Sequence, residues 1–280
     1  MSVFDDRICH LGEGPLWHPE RNQFFWFDIM GRRLLSRTED GPLEWDMGEH
    51  ASAAGWIDRD TLLIATETGL FRFDLTTGGK DKVADLEPDQ PLTRSNDGRA
   101  DPFGGFWIGT MGKAAEPRAG AIYRFFEGRI EKLFDQISIP NAICFAPDGQ
   151  RAYYADTPRQ RVWQVALDDK GWLAGEPEVF LDLRDEGLNP DGAVTDAEGG
   201  VWVAQWGASR VARYLPDGRY DRAIDLPARQ TSCPCFGGPD LDQLYVTSAT
   251  ENMPDPGPAD GQTFVVDPGL RGIAAPRVIL

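Results

Sequence analysis

The segment from Asn189 to Trp206 reads NPDGAVTDAEGGVWVAQW, and its order of residue types is typical of a β-hairpin. A short half-apolar stretch follows an opening Asn-Pro-Asp-Gly, and Asp-Ala-Glu-Gly-Gly then precedes the apolar run Val-Trp-Val-Ala-Gln-Trp. Asp, Asn, Pro and Gly between β-prone runs favour tight turns. The segment therefore predicts two short strands that are joined by a turn.

The same arrangement recurs along the chain. Six apolar strands follow one another as QFFWFD, TLLIAT, FWIGT, RAYYAD, VWVAQW and QLYVTSA. The ten-residue blocks that precede them begin, at intervals of 38 to 50 residues, at Glu13, Ala51, Asn96, Asn141, Asp191 and Cys233. After most of these strands come a polar loop, a second apolar run such as GLFRFDL or RVARYL, and further turns. Each unit therefore contains about four strands.

Four-stranded repeats of this length are typical of a β-propeller, in which each blade packs on its two neighbours. Six of them predict an all-β, six-bladed propeller that forms a single domain over residues 1–280. A pair of β-sandwiches or a jelly roll is the alternative, although neither requires six matching blocks. We expect ring closure to join the last strands, around TFVVD and APRVIL, to a blade begun at the N-terminus.

The composition limits the partners of the protein. Of its 280 residues, 45 are acidic and 28 are basic, and the net charge of −17 argues against binding of nucleic acid or of an anionic membrane. No basic segment followed by an apolar one opens the chain, and no apolar run approaches the roughly 18 residues of a membrane helix. The four cysteines are too scattered for a disulfide framework. We therefore expect a cytoplasmic protein with reduced thiols and no obligate protein partner.

Residues at one phase of a propeller repeat surround a common axis. The first positions of the six blocks define such a ring, and they hold Glu13, Ala51, Asn96, Asn141, Asp191 and Cys233. Any single Asn, Asp or Glu among them could be a turn former, but four in register predict converging oxygen atoms. Two carboxylates and two amides suit a hard or borderline divalent cation, and the two carboxylates balance its charge.

Other catalytic signatures are missing from the sequence. There is no Gly-x-Ser-x-Gly motif, and the run GTMGKAAEPRAG lies between two strands of one repeat, which predicts a loop and not a phosphate cradle. His10, His18 and His50 form no metal-binding motif, so imidazole ligation is not expected. Nucleophilic triads and nucleotide binding therefore gain no support.

Five motifs resemble the SMP-30/gluconolactonase family, which includes regucalcin-like lactonases and bacterial sugar-lactone lactonases. In the family's order and spacing, they are LGEGPLW (Leu11–Trp17), RSNDGRADPFGGFWIGTM (Arg94–Met111), IPNAICFAPDG (Ile139–Gly149), NPDGAVTDAEGGVWVA (Asn189–Ala204) and CFGGPDLDQLYVTSA (Cys235–Ala249). The resemblance implies a six-bladed propeller that hydrolyses the ring ester of a small-molecule sugar lactone to the open acid.

The resemblance also implies a set of site residues. One divalent cation (Ca²⁺, Zn²⁺, Mn²⁺, Mg²⁺ or Fe²⁺) would bind to Glu13, Asn141 and Asp191, and Asp191 would take the proton of the attacking water. Substrate contacts would come from Arg94 and Asn96, with Asp97 supporting the loop or the substrate and Glu116 reaching in from a lid. The alternatives are a propeller phosphotriesterase that uses the same site and a non-catalytic calcium-binding propeller with a structural cation.

Five single positions lead to further expectations. Family members usually have glycine where this chain has Ala142, and because alanine disfavours positive φ, we expect the local turn to differ. Arg94 could instead form a surface salt bridge, since acids are abundant. Trp206, at the end of a strand, is a candidate for stacking on a sugar, whereas Trp107 and Trp202 lie in mid-strand and are expected in the core.

Overall fold

The computed structural model describes residues 1–280 and consists of β-structure, apart from one short 3-10 turn at Thr157–Arg159. Its 24 strands form six antiparallel sheets of four strands each. Each sheet joins strands that are consecutive in the chain, except where the ring closes. The predicted six-bladed propeller is therefore confirmed, and the sandwich and jelly-roll alternatives are wrong. No helix in the structure has the length and apolar character needed to cross a membrane.

Blades one to three follow one another directly in the chain, each from its innermost strand outwards. Blade one contains β2 (Gly12–His18), β3 (Gln23–Asp28), β4 (Arg33–Thr38) and β5 (Gly41–Asp46). Blade two contains β6 (Ala51–Asp58), β7 (Thr61–Thr66), β8 (Gly69–Asp74) and β9 (Lys80–Asp85). Blade three contains β10 (Thr93–Ala100), β11 (Phe106–Gly112), β12 (Gly120–Phe126) and β13 (Arg129–Ile137).

Blades four and five repeat this pattern, and blade six takes its outermost strand from the start of the chain. Blade four contains β14 (Pro140–Phe145), β15 (Arg151–Asp156), β16 (Arg161–Ala166) and β17 (Glu178–Asp182). Blade five contains β18 (Asn189–Thr195), β19 (Val201–Trp206), β20 (Arg210–Tyr214) and β21 (Tyr220–Asp225). Blade six contains β22 (Gln230–Gly237), β23 (Gln243–Ala249), β24 (Thr263–Val266) and β1 (Ser2–Asp5).

Ring closure occurs in blade six, where β1 pairs antiparallel with β24 and places Val3 opposite Phe264. The expected contribution of TFVVD to the closing blade is confirmed, because β24 lies in this run. The expectation that APRVIL adds a strand is wrong. Strand β1 already occupies the outer edge of the sheet, and Pro276 has no N–H group to donate to a ladder.

The C-terminal segment crosses one end of the central channel instead. Val278 N donates to Trp56 O (2.9 Å) and Trp56 Nε1 donates to Ala275 O (2.7 Å), while Ile279 N donates to Gly104 O (2.8 Å). Val278 is fully buried. The tail therefore joins blades two and three at the end of the channel where the innermost strands β6 and β10 finish.

The turn after β18 shows why the opening segment folds as it does. Asp196 Oδ1 accepts a hydrogen bond from Gly200 N (2.9 Å), and Asp196 Oδ2 accepts from Trp202 Nε1 (2.8 Å) and from Arg213 Nε (2.7 Å). One buried carboxylate thus closes the turn and joins the first three strands of the blade. Asp101 of blade three closes its own turn and pairs with a buried arginine in the same way.

The core lies between neighbouring blades, where the apolar faces of twisted sheets meet. Trp26, Trp107 and Trp202 each occupy the second strand of a blade and are fully buried. The expectation that Trp107 and Trp202 belong to the core is confirmed. Side chains of this size fill the widening space between blades and leave the innermost strands to line the channel.

Candidate active site

Each innermost strand contains a shift of register near its beginning. The shifts fall between Glu13 and Leu16, Ala51 and Ala53, Ser95 and Gly98, Asn141 and Cys144, Pro190 and Ala193, and Thr231 and Pro234. Such β-bulges redirect side chains away from the regular alternation of a strand, and they are enriched beside active sites. Six bulges at one level therefore redirect the ring residues towards the axis of the propeller.

Four of the six ring positions line one cavity of about 520 Å³, a size that suits a small-molecule site. The four are Glu13, Asn96, Asn141 and Asp191, and all of them are buried. The other two positions, Ala51 and Cys233, are buried but do not contribute to the lining. The cavity therefore collects the oxygen-bearing ring residues of four different blades.

The two ring asparagines are interlocked across blades. Asn96 Nδ2 donates to Pro140 O (2.9 Å) and to Asn141 Oδ1 (3.0 Å). Asn141 Nδ2 in turn donates to Thr157 Oγ1 (2.8 Å), whose hydroxyl donates to Pro190 O (2.7 Å). This chain of hydrogen bonds runs from blade three to blade five and fixes which face of each amide carries the oxygen.

The two ring carboxylates have no positively charged partner. Glu13 accepts one hydrogen bond, from Gly14 N (3.1 Å), and neither Glu13 nor Asp191 takes part in an ion pair. Burial raises the pKa of Glu13 to about 8, and the negative charge of Asp97 adds to the rise. Burial also raises the pKa of Asp191 well above its usual value, and the negative charge of Glu13 is the second cause of this rise. The cavity therefore holds two carboxyl groups that form no ion pair and whose ionisation burial disfavours in the absence of a bound cation.

Arg94 lies on β10 and lines the same cavity. It is buried, and its Nη1 donates to Ser95 O (2.9 Å) and to Asn96 Oδ1 (2.8 Å). No carboxylate lies within ion-pair distance of its guanidinium, so the alternative of a surface salt bridge is wrong. Burial lowers the pKa of Arg94. Its remaining N–H groups find no partner in the chain and are available to an oxygen in the cavity.

Asp97 and Glu116 lie outside the cavity lining. Asp97 is buried behind the ring, where its Oδ2 accepts a hydrogen bond from Ile143 N (2.7 Å) in the bulge of blade four. Glu116 is exposed in the loop after β11, and its Oε2 accepts from Ala114 N (3.1 Å). The structure thus gives Asp97 a supporting contact to the neighbouring bulge. In the loop after β11, Lys113 and Ala114 line the cavity, whereas Glu116 does not.

Several cavity residues were not identified from the sequence. They are His10, Leu11, Met30, Met111, Lys113, Ala114, Ala115, Ile139, Thr157, Gln230, Glu251 and Asn252. Trp206, the predicted candidate for sugar stacking, also lies in the lining. Most of the others lie on connections that share no phase with the repeat, so no periodic signal marks them. His50 lies outside the lining, and its Nδ1 is 3.1 Å from Glu67 Oε1.

The turn after Asn141 does not differ as expected. Ala142 adopts a left-handed conformation with φ of 54°, the same value as Gly14, which follows Glu13 in blade one. The expectation of a different turn is therefore wrong, and the alanine tolerates the strain because the hydrogen bonds of Asn141 hold the bulge in place.

Replacing Ala142 by glycine should leave Tm within about 1 °C of the wild-type value. Relief of the left-handed strain gains about 1–2 kcal/mol, and two losses offset it: the greater freedom of glycine in the unfolded chain and a buried methyl group worth about 0.8 kcal/mol. Thermal unfolding measures the change. Ala155→Gly, equally buried but in a regular strand with no positive φ, is the control and should lower Tm by about 2–4 °C. An equal loss of Tm in the two variants would contradict the strain argument.

The donor set can be tested for its fit to a divalent cation. No group of three or more His, Cys, Asp or Glu side chains in the structure is arranged as a metal site. A site here must therefore combine the carboxylates of Glu13 and Asp191 with the amide oxygen of Asn141. Two buried carboxylates that form no ion pair, beside an oriented amide, are the oxygen donors that a hard divalent cation prefers. The residues present fit such an ion.

The architecture and the cavity allow the chain to be placed among known proteins. Residues 11–250 match the model of a protein family that is described as "SMP-30/Gluconolactonase/LRE-like region". The chain belongs to this family. A relative, the L-arabinolactonase of Azospirillum brasilense, is 35% identical over 99% of this chain and 94% of its own length. A pentonolactonase of Haloferax volcanii is 32% identical over 95% of this chain and 94% of its own length.

Family members of known structure share the fold closely. A calcium-binding protein, regucalcin, from Agrobacterium tumefaciens superposes with a TM-score of 0.97 at 41% identity. The superposition covers 100% of this chain and 97% of that one. The resemblance that the sequence motifs indicated is therefore confirmed along the whole length of the chain.

Proposed function

We propose that this protein is a metal-dependent lactonase that hydrolyses aldonolactones to the corresponding sugar acids. The observation that carries the proposal is one cavity that contains Glu13 and Asp191, two carboxylates that form no ion pair, and the unpaired donors of Arg94. Relatives that carry the names L-arabinolactonase and pentonolactonase support the choice of a sugar lactone as substrate.

The proposed cofactor is one divalent cation. Glu13, Asn141 and Asp191 would hold it, and when bound it would supply a Lewis acid for the carbonyl of the lactone. The regucalcin relative from Agrobacterium tumefaciens is described as a calcium-binding protein, which supports a cation of this type. Few protein ligands leave open positions for water and substrate, as catalytic sites require.

The residues of the chain then have separate tasks. Asp191 accepts a proton from water as the water oxygen forms a bond to the carbonyl carbon. The bond from that carbon to the ring oxygen breaks, and the ring oxygen leaves as a hydroxyl group by taking the proton held on Asp191, which returns Asp191 to its starting state. Arg94 and Asn96, which are already hydrogen-bonded to each other, orient the oxygens of the lactone. Lactone and water are thereby converted to the open hydroxy acid.

A second candidate is a calcium-binding propeller without activity, which the description of the regucalcin relative favours. If this chain were such a propeller, its cation would be structural. Its removal would lower Tm strongly, and no lactone would be hydrolysed. A roughly 6–8-coordinate calcium site needs more oxygens than three side chains supply, so this candidate requires further ligands.

The experiment that tests the proposal is hydrolysis of a panel of lactones after chelation and re-addition of metal. Glucono-δ-lactone, xylono-γ-lactone and arabinono-γ-lactone are compared with a phosphotriester, and acid release is followed with a pH indicator. We expect activity on at least one aldonolactone that is lost on chelation and restored by a divalent cation. Faster turnover of the phosphotriester, or metal-dependent stability without any hydrolysis, would overturn the proposal.

We also propose a cytoplasmic location and a small-molecule substrate as the principal partner. The four cysteines are all free and buried, which suits a reducing compartment. Fractionation of cells that express the protein from its own gene tests the location.

A further inference from the structure

One wall of the cavity comes from blade six and contains no ring residue. Gln230, the first residue of β22, and Glu251, which follows the end of β23, both line the cavity. The two residues lie close together, because Gln230 pairs with Ala249 at the end of the neighbouring strand. This wall lies apart from the sequence motifs that predicted the site.

The turn that carries Glu251 is held in place from both sides. Thr250 N donates to His10 O (3.1 Å), and Met253 N donates to Thr250 O (3.1 Å). Leu11 forms a bridge with Ala249 directly before this turn. The N-terminal segment therefore fixes the main chain at Glu251, and the carboxylate is presented to the cavity without a flexible loop.

Both polar groups of this wall lack a partner within the chain. Gln230 Oε1 is buried and accepts no hydrogen bond. The carboxylate of Glu251 forms no hydrogen bond and no ion pair, although its charge acts on both Arg94 and Asp191. A buried polar atom without a partner costs roughly 1–3 kcal/mol, so Gln230 Oε1 is free to accept a hydrogen bond from a ligand in the cavity, beside the half-buried carboxylate of Glu251.

The chemistry of the missing partner follows from these two groups. A carboxylate accepts hydrogen bonds from two adjacent hydroxyl groups, and an amide pairs with a hydroxyl in either direction, since a hydroxyl both donates and accepts. A second anion at this wall would be repelled by Glu251. The wall therefore suits a neutral, polyhydroxylated molecule and not a carboxylated, phosphorylated or sulfonated one.

We propose that Gln230 and Glu251 form a hydroxyl-binding subsite that selects neutral lactones with free adjacent hydroxyl groups over anionic lactones. This inference rests on the proposed lactonase function. It assigns substrate selection to blade six, whereas cation binding and proton transfer belong to blades one, four and five, and orientation of the lactone to blade three. Loss of either side chain then weakens the binding of hydroxylated substrates and leaves the chemical step intact.

The test uses the metal-loaded enzyme with three lactones. Xylono-γ-lactone carries free hydroxyls, glucaro-γ-lactone adds a carboxylate, and γ-butyrolactone has the same ring without substituents. The measurement is made at a pH on the plateau of the kcat profile, where the charge of Glu251 no longer alters proton transfer to Asp191. For Glu251→Gln we expect KM for xylono-γ-lactone to rise about tenfold with kcat nearly unchanged, since a charged hydrogen bond is lost. The ratio of kcat/KM between xylono-γ-lactone and glucaro-γ-lactone should fall about tenfold, and the value for γ-butyrolactone should stay within about twofold.

A second variant and a control complete the experiment. Gln230→Met should raise KM for xylono-γ-lactone several-fold and also raise Tm slightly, because it removes a buried polar atom without a partner. Glu178→Gln, on the exposed outer strand of blade four, should change neither quantity. These combined effects distinguish a binding role from a merely structural one.

Three results would overturn the inference. An equal loss of kcat on all three lactones would place Glu251 in the chemical step, and an unchanged ratio between neutral and anionic lactones would remove it from selection. A lower Tm for Gln230→Met would contradict the absence of a partner in the free protein. A wild-type protein that opens none of the lactones would instead refute the proposed function itself.

Discussion

Replacement of Asp191 by asparagine should lower kcat/KM for aldonolactones about a thousandfold. Asparagine keeps the shape of the side chain but accepts no proton, and general base catalysis contributes about 10²–10⁴-fold. The change also removes one of two buried carboxylates, so that the cavity attracts a divalent cation less strongly. Steady-state kinetics on xylono-γ-lactone at saturating metal measure the loss.

Thermal unfolding separates this effect from damage to the fold. Metal at about a hundred times its Kd should stabilise the wild-type protein by about 2.7 kcal/mol, and this shift should nearly vanish in Asp191→Asn. Without metal, the variant should unfold no earlier than the wild-type protein, because a buried carboxylate has been removed. Asp225→Asn, exposed at the end of β21, is the matched control. Full activity of Asp191→Asn with an intact metal shift would contradict both proposed roles of Asp191.

The fold could be predicted because it repeats. A propeller places turn residues and apolar strands at similar intervals in every blade, so the pattern of the segment from Asn189 to Trp206 could be checked five more times. The closure of the ring could not be derived in the same way, because the repeat does not show which terminal segment pairs with the open edge of blade six. There β1 pairs with β24, and the segment around Pro276 is displaced to the end of the channel.

The candidate site could be predicted from the sequence only where its residues follow the repeat. Glu13, Asn96, Asn141 and Asp191 share one phase, and the structure brings them to one cavity. Glu251 lies on a connection between strands β23 and β24. Such a connection does not follow the repeat, so the sequence does not predict which way its side chains point or how far they lie from the axis. The conformation of Ala142 was mispredicted for a different reason, since an intrinsic preference of about 1–2 kcal/mol is smaller than the hydrogen bonding that fixes the bulge.

Arg99 connects blades through the middle of the channel, and no sequence motif indicated this role. Its Nε donates to Ile143 O (2.9 Å) in blade four, and its Nη2 donates to Ala193 O (2.9 Å) in blade five. Its Nη2 also lies 4.0 Å from Cys233 Sγ in blade six. Innermost strands are sheet edges whose carbonyl groups face the channel, so one guanidinium satisfies groups that would otherwise have no partner.

Replacing Arg99 by methionine should therefore destabilise the protein by about 3–5 kcal/mol and lower Tm on the order of 10 °C. The methionine fills part of the space but leaves two carbonyl groups of the channel unsatisfied and removes the positive charge that acts on Asp97. Arg99→Lys should recover only part of the loss, because an ammonium group lacks the planar fork that reaches two blades. Arg129→Met, on the exposed outer strand of blade three, is the control for loss of charge alone.

The loss should also depend on pH, with a sign that follows from Asp97. Burial raises the pKa of Asp97, and the charge of Arg99 opposes that rise. Without Arg99, ionisation of the buried carboxylate becomes more costly, so the variant is penalised most at a pH where Asp97 would be charged. Calorimetry should therefore show a smaller difference in Tm from the wild-type protein at pH of about 5 than at about 8. A constant difference would mean that Arg99 stabilises the channel through its two carbonyl contacts and not through its charge.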